Sequence, residues 1–145
     1  GGGLIFFYSN TYPDMFFSRI VRSTQGFQGL RAFSTVPINQ VASYYKFSNV
    51  KDEATAATID SFIKKAMAQH VGAYPGFIKA TRTVCKTEWA YECAYVFDSF
   101  DSFVKWKESP ERAAALEMVP ELLKETGLDE STMYSGARVY DEFTV

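Results

Sequence analysis

From residue 39 onward the apolar pattern changes period in a set order, and few architectures accept that order. Asn39 to Ser48 alternates, with Val41, Ser43, Tyr45 and Phe47 on one side, and reads as a strand. Asn49 to Asp52 is a turn whose last residue can cap a helix. Ile59, Phe62, Ile63, Ala66, Met67 and His70 then recur on one helical face. Gly72 closes that helix, and Tyr74-Pro75-Gly76 turns the chain. Phe77 to Cys85 and Trp89 to Phe97 are strand-like runs joined by a short link, which predicts a hairpin. Ser99 caps a second helical region carrying Phe100, Phe103, Val104 and Trp106. Ser109-Pro110 starts another helix, Pro120 interrupts it, and Gly127 ends it. Thr132 to Phe143 is the last strand, with Gly136 as a candidate bulge.

Strand, helix, two strands, helix, strand is the ferredoxin-like split motif. It predicts an α+β domain with both helical regions on one face of an antiparallel four-stranded sheet. Pairing Cys85 with Trp89 puts Ile78, Ala80, Arg82, Val84, Ala90, Glu92, Ala94 and Val96 on one face, small enough for a helix to approach. The other face then carries Phe77, Thr81, Cys85, Trp89, Tyr91, Cys93, Tyr95 and Phe97. A slip of one residue would reshuffle both faces. The aromatic face is too apolar to leave wet, and a second copy of the chain in a homodimer is the economical cover.

Charge is unevenly spread. Residues 1–36 hold three Arg and one Asp, leaving 12 basic against 16 acidic residues for the remainder. From Met15, a natural start, runs MFFSRIVRSTQGFQGLRAFST, which is acid-free, with Phe16, Phe17, Ile20 and Val21 on one helical face and Arg19 and Arg22 off it. Arg31-Ala32-Phe33-Ser34 resembles a processing site. The chain therefore divides into an N-terminal extension over 1–36, expected to be an organellar transit peptide, and a folded domain over 37–145. A mitochondrial matrix address is expected; plastid or cytoplasm are the alternatives, with an ordinary N-terminal helix or basic arm as the bland reading. The net charge of −2 argues against a general nucleic-acid binder. No stretch approaches the roughly 18 apolar residues of a membrane-spanning helix. One His precludes a multi-histidine metal site within one chain, and two Cys make no disulfide scaffold.

Three segments carry a family resemblance: Tyr74-Pro75-Gly76-Phe77 with the aromatic third strand, Phe97-Asp98-Ser99-Phe100-Asp101-Ser102-Phe103, and Trp106-Lys107-Glu108-Ser109-Pro110-Glu111-Arg112. In order and spacing, residues 39–143 resemble the antibiotic biosynthesis monooxygenase (ABM) family of dimeric α/β barrels. The resemblance implies two four-stranded sheets joined in a dimer, with a pocket between sheet and helices in each subunit. Family members include cofactor-free monooxygenases of quinol-like aromatics, haem-degrading enzymes and proteins without known activity. In the haem degraders a His follows the Trp–x–x–Ser element by about two turns. Here Trp106 and Ser109 match, but Arg112 to Glu117 contains no His, which speaks against haem degradation of that type.

Candidate site residues each carry a functional and a structural reading. His70 suits acid–base work at a pocket mouth or caps its helix. Trp106 lines an aromatic-ligand pocket or packs the core. Arg82, opposite Glu92 in the expected register, holds a substrate oxyanion or forms a cross-strand ion pair. The strand tyrosines, Tyr45 and Tyr91 among them, hydrogen-bond a quinol or fill the interior. Cys85 and Cys93 share a face, about 13 Å apart along the sheet, and are expected to be free thiols. The resemblance thus implies an organellar protein that either oxygenates a small aromatic or quinone-like molecule without metal or flavin, the substrate supplying the electrons to oxygen, or only binds it; Arg82 and His70 are the expected catalytic residues and Trp106, Tyr45, Tyr91 and Glu92 the expected substrate-binding ones. The alternative is a non-catalytic dimeric binding or assembly module. No cofactor is expected in either.

Overall fold

The structure, a computed structural model, describes residues 36–145; the expected targeting segment over 1–36 lies outside the described residues but for Val36. Strand β1 spans Gln40–Phe47. Helix α1, Glu53–Ala66, opens where the Asp52 carboxylate accepts the Thr55 amide at 2.8 Å. The helix widens into a π-helical turn, Met67–Val71. Gly72 follows it with a helical backbone, its amide donating to the Met67 carbonyl oxygen, and an added Cβ would stand 2.9 Å from that oxygen.

Strands β2, Phe77–Cys85, and β3, Ala90–Phe97, form the hairpin. Helix α2, Phe100–Lys107, is capped by Ser99, and α3, Pro110–Leu116, by Ser109 with Pro at its start. Pro120 lacks an amide to continue α3, so a new helix, α4, runs over Val119–Thr126 and ends at Gly127 with φ +70°. A 3₁₀ turn, Glu130–Thr132, leads into β4, Met133–Tyr140.

The sheet order is β2-β3-β1-β4 and every neighbouring pair is antiparallel, which is the predicted ferredoxin-like α+β arrangement. Among the described residues no helix is long and apolar enough to cross a membrane.

Two expectations about register are corrected. Cys85 pairs with Ala90 rather than Trp89, because the turn takes in Trp89, whose φ of +52° removes it from the strand. Parity therefore shifts by one residue over most of β2: Arg82 faces Cys93, and Thr83 faces Glu92. A bulge at Ile78 takes up the slip before Phe77 meets Phe97. Gly136 forms no bulge; β1 and β4 pair without interruption from Gln40–Tyr140 to Phe47–Met133. A Cβ at Gly136 would stand 2.7 Å from the Tyr134 hydroxyl, the far end of a partly exposed side chain.

The slip regroups β2 alone, since the two faces of β3 are the same in either register, and which of those faces the helices cover is a separate outcome. Tyr91, Cys93, Tyr95 and Phe97 join Val41, Tyr45 and Phe47 beneath Ile59, Phe103, Trp106 and Leu122 in one core. The aromatic face expected to await a partner is thus packed by the chain's own helices, since large rings fill the wide gap between sheet and helix better than alanines would. The small face lies opposite, where Ala42, Ala94 and Val96 form a second buried cluster with Tyr140 against it. Trp106 is 1% exposed, stacked on Phe97 at 5.7 Å and edge-on to Tyr74 at 5.2 Å.

Gly76, at φ +89°, turns the chain directly beneath α2, and a Cβ there would lie 2.3 Å from the Ser102 hydroxyl. Gly76→Ala should cost about 1–3 kcal/mol, read as a lowered urea midpoint with unchanged slope.

Candidate active site

A cavity of about 50 Å³ lies between the helix-facing side of the sheet and the helices. Tyr45, Tyr95 and Met133 form its floor, Phe62 and Ile63 of α1 one wall, and Trp106 of α2 another. Leu116, Met118 and Leu122 close it from the corner between α3 and α4. The amphipathic period of α1 and the interruption before Pro120 place these side chains. No charged residue is among the lining.

Among the lining side chains, N and O atoms belong to Tyr45, Tyr95 and Trp106 alone; Ser43 and Ser135 are not lining residues. Ser43 Oγ donates to Tyr45 Oη at 3.3 Å, both buried. Burial holds the Tyr95 phenol well above the ordinary tyrosine range. Two buried polar atoms have no hydrogen-bond partner among the described residues: the indole Nε1 of Trp106 and Oγ of Ser135. Ser135 sits on β4 opposite Tyr45.

The structure brings Trp106 and Tyr45 together here and sends the other predicted site residues elsewhere. Arg82 reaches from β2 to α1, donating from Nε and Nη2 to the two Asp60 carboxylate oxygens at 3.0 and 2.7 Å. The expected pairing of Arg82 with Glu92 does not form, because the register places them on opposite faces of the sheet. Glu92 instead accepts hydrogen bonds from Tyr44 and Thr83 on the face away from the helices. Burial, then the Glu92 carboxylate, pushes the Tyr44 phenol up to about 12. Tyr91 is fully buried beneath α1, donates to Asp60, and does not line the cavity.

His70 lies on a separate open groove of about 990 Å³ with Tyr74, Gly76, Asp98, Ser102 and Glu108. Cys85 and Cys93 are free thiols, as expected, but stand on opposite faces, Cys85 exposed and Cys93 buried. Tyr95 is one of the strand tyrosines with a ligand-binding reading from sequence, whereas Met118 carries no local signal that would mark it.

No family model matches the chain, and no curated protein matches it. Solved structures do resemble it in fold. A variant of SnoaB, a cofactor-independent oxygenase from Streptomyces nogalater, is 18% identical, with 72% of this chain and 96% of that one covered and a TM-score of 0.49. A protein provisionally assigned as an antibiotic biosynthesis monooxygenase, from Caulobacter crescentus, is 16% identical over 72% and 92% of the two chains, with a TM-score of 0.48. A counterpart with the same provisional assignment, from Deinococcus radiodurans, is 14% identical over 72% and 96%, with a TM-score of 0.48.

Asp60 links two elements and titrates. Burial raises its carboxyl, but hydrogen bonds from Tyr91 and Arg82, with the Arg82 charge, outweigh that and hold it below the usual range. Its stabilisation is therefore complete above the ordinary carboxylate value of about 3.9 and is lost as pH falls through the depressed folded value. Urea unfolding from pH 6 to pH 2.5 should show that loss, flattened in Asp60→Asn. Asp60→Ala, which orphans the buried Tyr91 hydroxyl, should cost about 1–3 kcal/mol at pH 7.

Burial, then the Asp60 charge, pushes the Cys93 thiol up to about 12, while Cys85 is exposed. An aromatic disulfide reagent at pH 8 should titrate one thiol per folded chain promptly and the second only in denaturant.

Proposed function

We propose that this protein is a binding module for a small aromatic or quinone-like molecule held in the helix-side cavity. The observation that carries the reading is the lining: aromatic and aliphatic walls, one of them Trp106, whose buried indole N–H has no acceptor among the described residues. Such a pocket, apolar with few polar groups, is the usual form of a small-molecule site. The lining offers no carboxylate, imidazole or amine for acid–base work, and Arg82 and His70 lie outside it. Binding is therefore favoured over oxygenation of the ligand. A homodimer is proposed on the sequence resemblance, since Ala42, Ala94 and Val96 on the sheet face away from the helices are already buried within the chain, and a mitochondrial residence fits the acid-free basic segment after Met15.

The cavity is about a third of the roughly 150 Å³ that admits benzene in an engineered core. Entry of a ring thus displaces the corner between α3 and α4, where Met118 can change rotamer at little cost. Duroquinone, a one-ring quinone with no free ring position for thiol addition, should bind saturably at one site per chain by calorimetry. Ala66→Leu, which fills the cavity from the end of α1, should weaken that binding at least tenfold while leaving the circular dichroism spectrum unchanged. Unaltered affinity in this variant would move the ligand elsewhere. Sustained oxygen uptake with the corresponding quinol would reinstate the oxygenase reading.

A further inference from the structure

We propose that Arg112, at the junction of α2 and α3, is the centre of a second binding site, one that takes the carboxylate of a small monoanion. Arg112 is not among the residues that line the helix-side cavity, and the two sites stand or fall separately.

Arg112 lies in the first turn of α3, after the cap Ser109 and the Pro110 that starts the helix. The residue is 7% exposed. A guanidinium cannot shed its charge, so a buried one is ordinarily paired with an anion and hydrogen-bonded on several sides. Arg112 takes part in no ion pair among the described residues. The one hydrogen bond its guanidinium makes there runs from Nη1 to the Lys107 carbonyl oxygen at 3.3 Å. That bond caps the C-terminal end of α2 and accounts for a cation at this place. It does not account for a guanidinium, because it leaves the edge formed by Nε and Nη2 unused.

That edge presents two parallel N–H groups, the arrangement that grips two oxygens of one anion. Arg82 shows it in use in the same molecule, where Nε and Nη2 hold the two Asp60 oxygens at 3.0 and 2.7 Å. In Arg112 the same atoms meet no carboxylate of the described residues, yet they are not sealed off. The polar side-chain atoms that are shut away from solvent without a partner are Trp106 Nε1 and Ser135 Oγ, and none belongs to Arg112. An anion can therefore reach the fork from solvent, and the burial of the residue restricts it to a small group.

The charge of the ligand follows from the neighbours. Burial, then the Arg112 charge, holds the Lys107 ammonium below the ordinary lysine range, so the two cations stand close enough to repel, and one negative charge between them would relieve both. A dianion is a poorer fit. The Glu108 carboxylate already acts on Lys107, and Glu111 directly precedes Arg112. A carboxylate carries one charge and offers the fork what Asp60 offers Arg82.

The test uses the full chain at pH 7 and constant ionic strength, with acetate as the probe and chloride as the control. Acetate should move the Arg112 Nε–H signal saturably, with half-saturation on the order of millimolar, while chloride leaves it in place. The Arg82 Nε–H signal, whose fork is already filled, should stay. Acetate should also raise the urea midpoint above that in chloride. Arg112→Lys, which identifies the signal by its loss, keeps the charge but not the fork; it should weaken acetate at least tenfold with the circular dichroism spectrum unchanged. Inorganic phosphate should bind more weakly than acetate. An Arg112 signal that ignores acetate, or that moves equally with chloride, would overturn the site, and this reading of the wild-type chain stands even where the variant does not fold. Undiminished acetate affinity in a folded Arg112→Lys would likewise overturn it. Tighter binding of phosphate would overturn the assignment to a carboxylate.

Discussion

Tyr91, Tyr95 and Phe97 stand on the face of β3 that receives the helices, and the position of nearly every other side chain depends on that parity. Side chains alternate along a strand, so one residue of slip exchanges the two faces completely. The hairpin decides which residues of β2 share that face: Trp89 takes a left-handed backbone, its carbonyl accepts the Val50 amide at 2.8 Å, and Arg82 thereby stands beside Cys93 on the helix side. With the rings inward, the sheet presents α2 with an aromatic floor, and Trp106 stacks into it. With the rings outward, the helices would have rested on alanines, and the indole would have had no stacking partner on the sheet.

The same parity separates two kinds of polar chemistry. Toward α1, Asp60 gathers Arg82 and Tyr91 into a network that ties helix to hairpin, its charges half in water. Beyond it, under α2 and the corner between α3 and α4, the floor changes to Tyr45 and Tyr95 and the charges stop. Arg82 is thus used for architecture. A guanidinium bound bidentately to a carboxylate keeps little capacity to hold a substrate anion.

Element order was legible from residues 39 to 143 because each boundary carries its own chemistry. Asp52, Ser99 and Ser109 cap helices, Pro120 breaks one, Gly127 ends one, and the left-handed Gly76 makes the turn. Register was not legible. It depended on whether Trp89 belonged to the strand or the turn, and a bulky aromatic is an uncommon occupant of the left-handed region. Gly136 misled for a related reason. A glycine inside a strand commonly marks a bulge, yet here β1 and β4 pair across it without interruption. Of the candidate site residues, Trp106 and Tyr45 were found because large aromatics on the correct elements end up in the interior. Arg82 and Glu92 were misplaced because their pairing rested wholly on the register.

What distinguishes the Trp106 position from ordinary core packing is an energetic asymmetry. A phenylalanine there would keep most of the ring contacts with Phe97, Tyr74 and Tyr95 and bring no polar atom. The indole adds a buried donor, and a buried donor without a partner costs about 1–3 kcal/mol. Stability alone therefore gives no reason to prefer tryptophan over phenylalanine at this site.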